Sequence, residues 1–126
     1  MSTTLTMDSR NQELADKLSL LLTFNYSVGF AYSFGGIQVA SEDQISAVTE
    51  EINNIVASID NDQIETIAMY VAKKSIDMFI TESNLYANLE KHGFNPEPVM
   101  EELENRKPML ELTTINEIKE LHNKLK

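Results

Sequence analysis

The sequence contains no cysteine, which excludes disulfides, thiolate nucleophiles, iron–sulfur clusters and cysteine-based zinc sites. Glycine is scarce: the four glycines, at positions 29, 35, 36 and 93, form neither a dinucleotide-binding loop nor a P-loop, and no lysine follows the glycine pair where phosphate binding needs one. Neither a Gly-x-Ser-x-Gly nor a Ser-x-x-Lys pattern occurs, so two common hydrolase signatures are missing as well. No apolar run approaches the roughly 20 residues that cross a bilayer. The opening stretch, MSTTLTMDSRNQELADK, lacks the basic segment followed by an apolar one that marks a secretory signal. These absences lead to the expectation of a soluble, cytoplasmic protein with no membrane contact.

Positive charge is the other shortage. Twenty acidic residues face ten basic ones, a net charge of −10, which repels phosphate backbones and argues against direct nucleic-acid binding. The distribution is one-sided. From Leu18 to Ala72 there is no lysine or arginine, whereas Glu42, Asp43, Glu50, Glu51, Asp60, Asp62 and Glu65 all fall within that stretch.

What is present suits a folded helical domain. At 126 residues with 42% apolar and 24% charged residues, the chain fits a single domain with a real core, and residues 1–8 are expected to form a flexible tail. Ser9 and Gln12 can make a capping box ahead of Leu14, Leu18, Leu21 and Leu22, predicting a first helix over residues 10–23. Ser41 and Gln44 make a second ahead of Ile45, Val48, Ile52, Ile55 and Ile59, spaced by threes and fours. Asp60-Asn61-Asp62 then supplies a fresh N-cap for a helix over residues 62–80. That helix has two apolar stripes, Ile64, Ile67, Val71 and Met78, and Met69, Ala72, Ile76 and Ile80, so it is expected to lie centrally with neighbours on both flanks. Ser83 can cap a short helix holding Leu85 and Leu89 and closed by Gly93. Asn95-Pro96 starts another that should stop near Pro108. Thr114 and Glu117 can box the start of a last helix carrying Ile115, Ile118, Leu121 and Leu125.

Residues 25–40 read differently. Val28, Phe30, Tyr32 and Phe34 alternate with Gly29, Ala31 and Ser33, and Gly35-Gly36 leads into Ile37-Gln38-Val39, the pattern of two strands joined by a two-residue turn. The competing reading extends the first helix to the glycine pair. The expected fold is therefore mainly α, a compact bundle of five or six helices with one β-hairpin near residues 25–40.

The chemistry-bearing residues are few. His92 stands before a helix-terminating glycine and His122 borders an apolar stripe, and neither has a second ligand on the same helix face that would suggest a metal site. Asp60-Asn61-Asp62 resembles the opening of a calcium loop, yet Glu65 stands where such a loop needs glycine and Val71 where it needs glutamate, which leaves an N-cap. Glu101, Glu102 and Glu104 read as a solvated helix face. No catalytic residue, metal or cofactor is expected.

The functional lead is an aromatic cluster beside negative charge. Phe24, Tyr26, Phe30, Tyr32 and Phe34 crowd into eleven residues; such clusters more often pack in a core than at an interface, and the interface reading is the functional lead because tyrosine and phenylalanine are enriched at protein–protein contacts. Tyr26, Phe30, Tyr32 and Phe34, with Glu42, Asp43, Glu50 and Glu51, are the expected partner-binding residues. The expected function is a non-catalytic regulatory factor that binds a larger basic protein. A specific form is an accessory or inhibitory factor of RNA polymerase or another nucleic-acid enzyme, a role small phage-encoded proteins take. The alternatives are an acidic nucleic-acid mimic and a small helical enzyme or ligand carrier with a pocket between helices. Leu20, Met69 and Met100, off the main stripes, leave self-association open.

Overall fold

The computed structural model describes residues 8–36, 38–82 and 85–126. Four long helices, α1 (Ser9–Gly35), α2 (Glu42–Ala57), α3 (Ile64–Glu82) and α5 (Pro96–Lys124), are joined by a short α4 (Leu85–Lys91) between the last two. Arg10, at the start of α1, reaches the Ser58 carbonyl at the end of α2, so these helices are antiparallel. Glu65 pairs with Lys119 and Asp77 with Lys107, an opposite order that makes α3 and α5 antiparallel as well. The result is an up-down-up-down bundle.

The bundle agrees with the sequence reading; the hairpin does not. Residues 25–35 continue α1, and no strand occurs among the described residues. Two causes are visible. Tyr26 and Phe30, one helical turn apart, both pack on Phe79 of α3, with ring centroids 5.9 and 5.7 Å away. A flat hairpin would have placed Phe30 with Tyr32 and Phe34 and left Tyr26 elsewhere. In addition, Ser19, Thr23 and Ser27 each donate a hydroxyl proton to the carbonyl four residues earlier, at 2.8, 2.7 and 3.0 Å, a ladder that only helical geometry allows. The helix ends where the chain permits a left-handed residue: Gly36 has φ +67° and its N–H returns to the Ala31 and Tyr32 carbonyls. Ile37, read as the start of a second strand, lies outside the described residues.

Three helix boundaries also differ. Asp8, expected in a flexible tail, is the N-cap of α1 in place of Ser9, accepting from the Asn11 N–H at 2.8 Å; residues 1–7 lie outside the described residues. Helix α3 begins at Ile64 instead of residue 62. Helix α5 runs through Pro108 without stopping, so the two expected C-terminal helices are one, and the bundle is made of four long helices where five or six helices were expected. Thr114 is therefore no cap. It is buried mid-helix and donates to the Leu110 carbonyl at 2.8 Å. Proline costs about 3 kcal/mol inside a helix, but Leu103 before it and Ile118 after it are both buried in the core, and their burial holds α5 straight enough to continue. Pro108 itself is exposed, where water can reach the Glu104 carbonyl that the ring leaves without its helical donor.

Other signals were read correctly. The Ser41–Gln44 capping box forms with both reciprocal bonds, Gly93 takes φ +85° at the end of α4, and Asn95 caps α5 with Pro96 in its first turn. Ser83, the expected cap of α4, lies outside the described residues. Helix α3 is central, packed on α1 along one flank and α5 along the other.

The core has two parts. One gathers Ala15, Leu18, Ile55, Val56, Ile67 and Ile118, and the other Ile76, Phe79, Ile80, Leu89 and Leu103, with Tyr26 and Phe30 against it. Buried His122 carries a ring nitrogen, Nε2, 2.7 Å from the Ile59 carbonyl, closing an otherwise open carbonyl beyond the end of α2.

Two stability changes follow. Pro108→Ala restores a helical N–H donor and removes the ring clash, so urea denaturation should show a gain of about 1–3 kcal/mol. A loss would mean that the proline helps to bring Lys107 onto Asp77. His122→Leu leaves the Ile59 carbonyl buried without its donor and should cost about 1–3 kcal/mol in the same assay, with His122→Gln, which keeps an N–H, losing less.

Candidate functional site

Helix α2 is amphipathic in the way its stripe requires. Ile52, Ile55 and Val56 are buried, and the opposite face carries Glu42, Asp43, Glu50 and Glu51, all exposed. Glu42 and Asp43 lie in the first turn, where the helix dipole favours them; Glu50 and Glu51, further along, have no such reason. None of the four pairs with a lysine or arginine among the described residues, and five of the ten cations of the sequence are engaged elsewhere. Lys74 is committed to Asp16, Lys107 to Asp77, Lys119 to Glu65 and Arg106 to Glu102, while Arg10 is spent on the Ser58 carbonyl.

The aromatic residues divide. Tyr32 stands 66% exposed in the last turns of α1, and Val39, in the connection that follows, is 47% exposed. The Gly36 turn folds this connection back into α2, so Tyr32 and Val39 share one end of the bundle with Glu42 and Asp43. Tyr26 and Phe30 face inward onto Phe79 and are half-buried. The side chain of Phe34 lies outside the described residues. A continuous aromatic ribbon is therefore not formed; one exposed tyrosine and one valine border the acidic helix. Of the residues considered for self-association, Leu20 and Met69 are exposed, whereas Met100 packs against the second part of the core.

A second feature was not foreseen. Between α1, α2 and α5 lies a cleft of about 360 Å³. Its floor is apolar, built from Leu18, Ile52, Val56 and Ile118, and its upper wall carries Asn25, Tyr26, Thr49, Asn53, Thr114 and Glu117. The Tyr26 hydroxyl bonds Thr114 Oγ1. Burial holds the Tyr26 phenol above its ordinary pKa, the bond to Thr114 opposes that shift and the charge of Glu117 adds to it.

A third is a polar cluster joining α1 to α3. Asp16 Oδ1 accepts from Lys74 Nζ at 2.8 Å, the Tyr70 hydroxyl at 2.7 Å and Gln12 Nε2 at 3.1 Å. The sequence signal was available in hindsight, since Gln12 and Asp16 are one helical turn apart, as are Tyr70 and Lys74. Both charged ends of the pair remain partly exposed, and the cluster acts as a clasp between two helices.

Among the described residues no helix is long and apolar enough to cross a membrane, and no group of three or more His, Asp or Glu side chains is arranged to hold a metal ion. Comparison with protein-family models, with curated proteins and with solved structures finds no match to this chain. Its functional reading therefore rests on geometry and charge.

The clasp has a defined pH dependence. The hydrogen bond from Lys74, followed by that from Tyr70, lowers the Asp16 pKa below its ordinary 3.8. A depressed carboxylate contributes stability that is complete above the unfolded value and is lost as the pH falls through the folded one. Asp16→Asn should therefore cost less than about 1 kcal/mol near neutral pH, as expected for a solvent-screened pair, and its deficit against the parent should close in the acid range below the ordinary carboxylate value. Denaturation curves collected across pH check this; a deficit constant with pH would show that the Asp16 charge contributes nothing.

Proposed function

We propose that this protein is a non-catalytic interaction factor of the cytoplasm, docking on a larger basic protein through the outer face of α2 and the adjoining end of α1. One observation carries the reading: four exposed carboxylates, Glu42, Asp43, Glu50 and Glu51, share a helix without cationic partners among the described residues, next to the exposed Tyr32 and Val39. Unpaired surface carboxylates on one side of a small protein steer it toward positive surfaces and raise the rate of encounter. Tyr32 supplies what charge alone does not, a large side chain of low conformational cost able to anchor in a pocket. The residues that pack Tyr26 and Phe30 inward hold the last turns of α1 rigid, so the anchor is presented on a fixed helix. A nucleic-acid-handling enzyme such as RNA polymerase or a nuclease offers the basic surface this face complements.

Quantitative affinity capture with the parent and two variants tests the reading. The parent should retain a stoichiometric basic partner; Glu50→Lys combined with Glu51→Lys should abolish its capture at low salt. Tyr32→Ala should weaken it by about tenfold or more, the scale of an aromatic anchor. Capture that is indifferent to both changes would remove this face from consideration. Loss with the charge reversal alone, reproduced in the parent by moderate salt, would favour simple electrostatic mimicry of nucleic acid over anchored docking.

A further inference from the structure

The cleft between α1, α2 and α5 has a polar wall of unusual bias. Thr114 commits its hydroxyl proton to the Leu110 carbonyl at 2.8 Å, so in its contact with Tyr26 it must accept, and the Tyr26 proton is spent on Thr114. Thr49 commits its proton to the Ile45 carbonyl at 2.9 Å. Each hydroxyl on the wall has thus used its single donor within the protein, and what remains toward the cleft is lone pairs. Glu117, the one charged residue of the lining, is acceptor-only when ionised. Asn25 and Asn53 can turn either end of the amide inward and do not disturb the balance.

We infer that this cleft binds a small organic ammonium compound with an apolar body, its N–H donors directed at the oxygens of Tyr26, Thr49 and Glu117 and its body on the leucine, isoleucine and valine floor. The size suits this ligand, since about 360 Å³ lies at the small end of pockets that enclose small molecules. The charge suits it too. A carboxylate or phosphate head would meet Glu117 and hydroxyls whose protons are spent, with no lysine or arginine in the lining and only the Asn25 and Asn53 amides to donate, whereas an ammonium group finds acceptors all along the wall and the charge of Glu117. A neutral alcohol can donate one hydrogen bond and gains nothing from the charge. This site is separate from the outer face of α2, because Thr49, Ile52 and Val56 line the cleft from the inner side of that helix.

Three probes that share one body test the inference: 4-phenylbutylamine, 4-phenylbutan-1-ol and 4-phenylbutanoate, each titrated into the full isotope-labelled chain and followed by amide chemical shifts. The amine should give saturable shifts confined to amides around Asn25, Asn53 and Thr114, and should bind about tenfold or more tightly than the carboxylate, with the alcohol between. Glu117→Gln, an exposed position whose change the fold should tolerate, should lower the amine's affinity by about three- to tenfold and leave the alcohol's unchanged. Thr49→Val, which keeps the side-chain shape and removes an acceptor, should weaken amine and alcohol alike. Equal or tighter binding of the carboxylate, an amine affinity indifferent to Glu117→Gln, shifts centred elsewhere on the protein, or no saturation of any probe by about 5 mM would each overturn the assignment.

Discussion

Burial of α3 on both flanks is the constraint from which the rest of the molecule follows. Ile67, Ala68, Val71, Ala72, Ser75 and Ile76 have no accessible surface at all, and these positions sweep about half of the helix circumference. A helix apolar over that width cannot stand at the edge of a bundle. It takes α1 along one side and α5 along the other, and the remaining elements are arranged around that trio. The ion pairs that decorate it, Lys74–Asp16 toward α1 and Lys107–Asp77 toward α5, are partly exposed and contribute register more than stability.

The two features of functional interest both arise from how α2 sits on this trio. It rests chiefly on α1 and α5 and least on α3. Its C-terminal end is fastened, since Arg10 takes the Ser58 carbonyl and His122 meets that of Ile59. Its first turns carry no comparable fastening among the described residues beyond their own capping box. A helix pinned at one end and leaning on two supports leaves a space beneath its middle, and its outer face remains free of neighbours. The cleft and the acidic surface are the two sides of that one arrangement.

Much of the fold was legible because it depends on signals that act within a few residues. The Ser41–Gln44 box, the left-handed Gly93, the Asn95-Pro96 start and the Ile52, Ile55, Ile59 stripe all behave as local chemistry dictates. The exposure of Glu42, Asp43, Glu50 and Glu51 followed from the same stripe, by exclusion from its buried side. The errors share a cause. Residues 28–34 satisfy a two-residue alternation and also a four-residue spacing from Leu22 through Tyr26 to Phe30, and what selects the second is Phe79, some fifty positions away. The continuation through Pro108 is likewise imposed by buried residues on either side of it. Tyr26 and Phe30, expected at the surface, turn inward for the same reason, while Tyr32 stays outside because it stands two residues, about 200°, round the helix from Phe30. The cleft could not be read at all, since its walls come from Leu18, Thr49 and Glu117, segments that only tertiary packing brings together.

A belt of hydroxyls crosses the middle of the bundle. Ser19 and Thr23 on α1, Ser75 on α3 and Thr114 on α5 lie between the two parts of the core, and each bonds a carbonyl of its own helix. Thr23 also reaches the Ser75 carbonyl on α3 at 3.4 Å and Thr114 meets the Tyr26 hydroxyl of α1, so the belt ties helices together where the apolar contacts on either side are interrupted. The protein is thus built as two oil-filled compartments threaded by three shared rods. Each pole of the bundle thereby has its own fastening: Arg10 and His122 close off α2 at one, and at the other Tyr26 and Phe30, seated on Phe79, steady the turns that carry Tyr32.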